Sequence, residues 1–89
     1  MRIRVEVTPE DVAEGRRDDC DLCPVANALR RVVGDGSIRI GRARAFLWYE
    51  PGVILLSTAL PQEVIEVIDE YDRGGTFPPM CFVLEMEPG

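Results

Sequence analysis

Cys20-Asp21-Leu22-Cys23, followed at once by Pro24, is the segment of this sequence with the clearest chemical content. A C-x-x-C pair can close a short disulfide loop, exchange thiols, or supply two ligands to a metal ion. Pro24 suits the first position of a helix, and a helix N-terminus lowers the pKa of a thiol beside it. Three features oppose thiol exchange. The proline follows the pair instead of lying within it. Asp18, Asp19 and Asp21 crowd the thiols and favour their protonated form, with Arg16 and Arg17 offsetting only part of this. No βαβ pattern of the thioredoxin kind surrounds the motif. A metal site would need two further ligands. Cys81 supplies one at most, so a carboxylate would have to complete an unusual Cys₃Asp set from Cys20, Cys23 and Cys81. The structural alternative is that two small, half-buried residues anchor the start of a helix under a loop. No cofactor is expected.

Two other constellations suit binding. Arg39, Arg42 and Arg44, with Phe46 and Trp48, can share one strand face by alternation, and basic residues beside aromatics suit single-stranded nucleic acid. The competing reading packs the aromatics and lays arginine stems over apolar surface. Further along, Glu63, Glu66 and Glu70 recur at i, i+3 and i+7 of a helical pattern and make one acidic stripe. Such a stripe is either a solvated face or a docking surface for a basic partner. There is no histidine among the 89 residues, which removes the commonest general base and every His-bearing zinc set. Gly-rich phosphate loops, a serine-nucleophile elbow and a paired-carboxylate signature are missing as well.

The charge balance sharpens this. All 10 basic residues are arginine, against 16 acids, for a net charge of −6. Residues 1–44 carry nine arginines and eight acids, or +1; residues 45–89 carry one arginine and eight acids, or −7. A chain of this sign is a poor binder of phosphate backbones, which need several neutralising cations. With 46% hydrophobic and 29% charged residues, the sequence is one that folds into a single small domain spanning 1–89. Polar and apolar residues alternate from the start, the apolar runs are far too short to span a bilayer, and the cysteine number is odd. The expected setting is cytoplasmic, with reduced thiols and no membrane partner.

The elements that position these residues follow from periodicity and punctuation. Residues 2–7 alternate as a strand with Ile3, Val5 and Val7 inward. Thr8-Pro9-Glu10-Asp11 opens a short helix with a variant capping box, which Gly15 ends, and Arg16–Asp19 reads as a solvated charged turn. A second helix runs from Pro24, capped by Cys23, to Gly34, with Val25, Ala28, Leu29 and Val32 as its apolar stripe. After the turn Gly34-Asp35-Gly36 come strands at Ser37–Gly41 and Ala43–Tyr49, the turn Glu50-Pro51-Gly52-Val53, and a continuous apolar strand at Val53–Ser57. That strand is expected to be central and covered on both faces, with Ile54 in the core. A third helix spans Pro61 to Arg73, with Val64, Ile65, Ile68 and Tyr71 inward, and Met80–Glu87 forms the last strand. The order β-α-α-β-β-β-α-β implies an α+β domain, a largely antiparallel sheet with helices on one face.

Thr8-Pro9-Glu10-Asp11-Val12, Gly15, Cys20-x-x-Cys23-Pro24-Val25-Ala26 and Ala28-Leu29 together resemble a family of small bacteriophage and prophage proteins that run T-x-E-D-I, G, then S/T-C-x-x-C-P-I-A-x-A. Leu60-Pro61, Tyr71-Asp72-Arg73-Gly74 and Pro79-x-x-Phe82-x-Leu84 are similar to the same pattern, so the likeness extends over nearly the whole chain. Asp19 stands where that pattern has a small hydroxyl residue, and residues 42–58 depart from it most. The resemblance implies a phage-type protein in a bacterial cell and names no activity. Elimination then favours a non-enzymatic accessory protein that binds another protein, an inhibitor of a host factor being one form of this. The alternative from another class is a thiol-redox or metal-binding module built on the C-x-x-C pair.

Overall fold

The computed structural model describes residues 1–34, 37–49 and 54–88, without the side chains of Tyr49 and Ile54. The elements are β1 (Arg2–Val7), α1 (Pro9–Ala13), α2 (Pro24–Val33), β2 (Ser37–Ile40), β3 (Arg44–Tyr49), β4 (Ile54–Ala59), α3 (Gln62–Asp72), β5 (Met80–Glu85) and β6 (Glu87–Pro88). This is the α+β order read from the sequence. Asp35, Gly36 and the Glu50–Val53 turn lie outside the described residues, as does the Ile54 side chain.

Alternation along β1 buries Ile3, Val5 and Val7 and exposes Arg2, Arg4 and Glu6. β1 pairs antiparallel with β5, from Arg2 opposite Glu85 to Val7 opposite Met80. A second antiparallel sheet runs β2-β3-β4-β6. The sequence reads Met80–Glu87 as one strand, but the chain changes partner at Met86. The Met86 amide donates to the Met1 carbonyl at 2.7 Å, and the N-terminal ammonium donates to the Met86 carbonyl at 2.8 Å. One residue later Glu87 faces Ser57 of β4, so one nearly continuous segment links the two sheets.

The helix boundaries follow their capping chemistry. At α1 the Thr8 side chain accepts from the Asp11 amide, and the Asp11 carboxylate accepts from the Thr8 amide at 2.9 Å. Asp11 is also buried and takes Arg31 Nη2 at 2.8 Å, while the same guanidinium nitrogen donates to the Glu6 carbonyl. Burial pushes the Asp11 carboxyl up, but hydrogen bonds from Arg31 and Thr8 and the guanidinium charge outweigh it and hold it below its ordinary value. α2 begins at Pro24 after the Cys23 cap and stops at Gly34, whose φ of 72° suits glycine. Val25, Ala28 and Leu29 are buried as expected, whereas Val32 is 51% exposed and Val33 takes the inward place in the last turn. The 3.6-residue period sets a stripe, but only the strands α2 meets, β1 and β2, decide how far it is covered.

β4 lies between β3 and β6, so it is central within its sheet. It is not covered on both faces: Leu55 and Leu56 are only half-buried. One face of β2-β3-β4 turns Ile38, Ile40, Ala45 and Leu47 into the core. The opposite face carries half-buried Phe46, Trp48 and Leu55. No helix among the described residues is long and apolar enough to cross a membrane.

Candidate functional site

The loop before α2 is held by its own backbone and by Asp19. Arg16 N–H donates to the Leu22 carbonyl at 2.9 Å, and Asp19 Oδ1 accepts from the amides of Asp21 and Leu22 at 2.9 and 3.0 Å. That is an Asx-type turn, a role a small hydroxyl side chain fills more weakly. The Cys20 carbonyl accepts from Ile40 N–H at 2.9 Å, which pins the loop to β2.

Cys23 is buried and caps α2 through its sulfur, which accepts from the Ala26 amide at 3.4 Å. Burial pushes its thiol up to about 11, against the pull of the Ala26 and Val25 amides and reinforced by Asp72 and Cys20. Desolvation therefore beats the helix N-terminus, and Cys23 is a thiol at neutral pH. Cys20 is exposed, and Cys81 is exposed on β5 opposite Glu6. Among the described residues no group of three or more Cys, Asp or Glu is arranged to hold a metal ion.

The segment Arg16–Asp19 is more than the solvated turn its composition suggests. Arg17 Nη1 donates to the Tyr71 carbonyl and, at 2.8 Å, to the Gly75 carbonyl, with its guanidinium carbon 4.3 Å from the Tyr71 ring centroid. A cation at the end of α3 thus gives the Tyr71 carbonyl a further donor, beside the Gly74 N–H at 3.0 Å, and meets the negative end of the helix dipole. Asp18, at φ 55°, turns its amide onto Asp72 Oδ1 at 2.7 Å. These contacts join residues more than fifty positions apart, so no local pattern announces them.

On α3, Val64, Ile68 and Tyr71 are buried and Ile65 partly so. Glu63, Glu66, Asp69 and Glu70 are exposed, so the acidic stripe exists as the spacing predicts. Asp69 is tied to Arg73 at 2.6 Å. Glu70 folds back over the Gly74-Gly75 turn, and a Cβ on Gly75 would meet its Oε1 at 2.6 Å. Glu63 and Glu66 project from the helix with no ion pair among the described residues.

The arginine–aromatic set is only partly assembled. Arg39 faces Phe46 across β2 and β3, and Phe46 stacks on Trp48 with centroids 6.1 Å apart, on the sheet face that also bears Arg44. Arg42 does not join them. Gly41 N–H donates to the Arg44 carbonyl at 2.8 Å and closes a tight hairpin that carries Arg42 at its tip, out of the alternation. Arg39 is paired with Asp21 at 3.5 Å, and Arg44 donates to the Ser57 hydroxyl at 3.2 Å. Beside Trp48 lies a shallow depression of about 510 Å³, lined also by Arg30, Arg39 and Asp21.

A larger cleft of about 650 Å³ opens between the Cys20 loop, the β2–β3 hairpin and α3. Cys23, Ile40, Ile65 and Ile68 make its apolar floor. Its rim carries the carboxylates of Asp18, Asp19, Asp69 and Asp72 against the guanidinium groups of Arg42 and Arg73. Ile65, Asp69 and Asp72 share a helical spacing that puts them on one wall, a relation present in the sequence but not read from it; nothing local signals the loop that faces them.

Compared with known family models, curated proteins and solved structures, the chain matches none.

Proposed function

We propose that the protein acts by binding another protein, a basic one, on the acidic outer face of α3. The observation that carries this reading is the exposed row of Glu63, Glu66 and Glu70 on a helix whose other side is locked into the core. Long-range attraction to such a row raises the encounter rate with a positively charged surface and sets the orientation of approach. The phage-type accessory role implied by the resemblance belongs to the same proposal, with the partner a factor of the bacterial cell.

Thiol chemistry receives no comparable support, because Cys23 is buried with its thiol pushed up to about 11. The arginine–aromatic face is a weaker docking surface, since Arg39 and Arg44 already have intramolecular partners. The test is affinity capture from host-cell lysate with two baits, the wild type and Glu63→Lys/Glu66→Lys/Glu70→Lys. A basic protein held stoichiometrically by the first and lost from the second is the expected result. Equal recovery on both baits would remove α3 from the interface.

A further inference from the structure

Resting on that reading, we infer that the cleft between the Cys20 loop and α3 receives a long cationic side chain, arginine or lysine, presented by the docked partner. Its two chemistries, an apolar floor and an acidic rim, match the two parts of such a side chain. The methylene stem gains contact with Ile40, Ile65 and Ile68, while the charged head reaches the carboxylates at the mouth. The rim has capacity for it. Asp18 carries no side-chain hydrogen bond or ion pair among the described residues, and Asp72 accepts only the Asp18 amide. Of the two cations at the rim, Arg73 is already held by Asp69, and four carboxylates against two guanidinium groups leave the rim net negative.

The position fits the docking face. Asp69 follows Glu66 by three residues and adjoins it on the helix surface, so the cleft opens along the flank of the acidic stripe. A partner lying on Glu63 and Glu66 has the cleft at its edge. Confined side chains in partly desolvated pockets carry a disproportionate share of interface energy, and arginine is enriched among them.

Cys20 gives a direct readout, because it is exposed and lies on the cleft wall while Cys23 is buried. The experiment uses the 89-residue chain carrying Cys81→Ser and a fluorescein-labelled peptide of alternating leucine and arginine. Anisotropy follows binding, and the rate of Cys20 modification by an aromatic disulfide follows cleft occupancy. Saturating peptide should slow Cys20 modification about tenfold, and the same peptide with citrulline for arginine should not.

Asp18→Asn/Asp72→Asn should weaken peptide binding about tenfold, roughly 1.4 kcal/mol, without moving the melting temperature. Asparagine tolerates the left-handed φ at 18 and keeps an acceptor at 72 for the Asp18 amide. Peptide binding that is lost on reversing Glu63, Glu66 and Glu70, yet leaves Cys20 fully reactive and ignores the double asparagine change, would overturn this inference while leaving the docking face intact. Failure of the peptide to bind would overturn it too, with the docking face still judged by partner capture. Spermidine protecting Cys20 as well as the peptide does would assign the cleft to a small polycation instead.

Discussion

Asp11→Ala removes the charge that ties α1, α2 and the end of β1 together. In the folded chain its carboxylate accepts from the Thr8 amide at 2.9 Å, the Thr8 hydroxyl at 3.1 Å and Arg31 Nη2 at 2.8 Å. Losing the capping-box half of this costs about 1 kcal/mol. The charge-assisted bond to Arg31 adds about 1–1.5 kcal/mol, below the value for a fully buried pair because the Arg31 side chain is 50% exposed and can turn to water. The sum, about 2–2.5 kcal/mol, lowers the melting temperature of a domain this small by roughly 10–20 °C. The pH dependence has a definite sign. Burial raises the Asp11 pKa, the hydrogen bonds to Arg31 and Thr8 lower it by more, and the folded value lies below the unfolded one. Its contribution is therefore complete above a pH of about 4 and is lost as pH falls through the lower folded pKa. Thermal melts followed by circular dichroism should show a constant gap between wild type and variant from about pH 5 to 8, closing on further acidification. Asp11→Asn, which still accepts from the Thr8 amide, should fall between them. A variant melting within ~2 °C of wild type at neutral pH, or a gap that widens in acid, would show that the Asp11 carboxylate does not stabilise the fold through Thr8 and Arg31.

Other consequences test the packing around the site. A Cβ on Gly15 would lie 2.9 Å from Pro24 Cδ and Cγ and 3.1 Å from the Asp11 carbonyl, so Gly15→Ala should cost about 1–3 kcal/mol in urea unfolding. At Gly41 the nearest atoms are at 3.5 Å, and Gly41→Ala should stay within about 1 kcal/mol of wild type. Cys20→Ser/Cys23→Ser should remain folded at a cost of ~0.5–3 kcal/mol, serine being a good cap in place of the buried sulfur. A chelator should not shift the melt of the wild type, and chelator-induced unfolding would show a structural metal. Arg17→Ala should leave the core melt nearly intact while amide exchange between Asp18 and Leu22 accelerates several-fold, because its bonds anchor that loop to α3. Unchanged exchange would mean the loop's own hydrogen bonds suffice.

Much of this fold is local in origin and so could be read from the chain. Thr8-Pro9-x-Asp11 and Cys23-Pro24 mark helix starts because capping acts within three residues, and the alternation of Ile3, Val5 and Val7 is an intrinsic property of a strand with one buried face. The acidic stripe of α3 is equally local, its spacing fixed by the helix repeat. What escaped is tertiary. Arg17 looks like a solvated charge until the end of α3 arrives beside it, and Asp11 looks like a helix cap until Arg31 reaches it from α2. Met86 reads as strand interior, but it sits where the chain leaves β1 for β4, and apolar periodicity carries no record of which neighbour a strand pairs with. The cleft belongs to this class: Asp72 and Ile65 are legible as helix positions, while Asp18 and Cys20 reach them only through the fold.

The most direct test of the docking face is the association rate with the captured basic partner, measured by stopped flow across a salt series. Exposed carboxylates that steer encounter should give the wild type a rate that falls steeply between low and physiological ionic strength. Glu63→Lys/Glu66→Lys/Glu70→Lys should melt with the wild type, associate at least about tenfold more slowly at low salt, and show a flattened or inverted salt dependence. Equal rates for the two proteins at low salt would contradict the account and leave the α3 stripe as solvated surface.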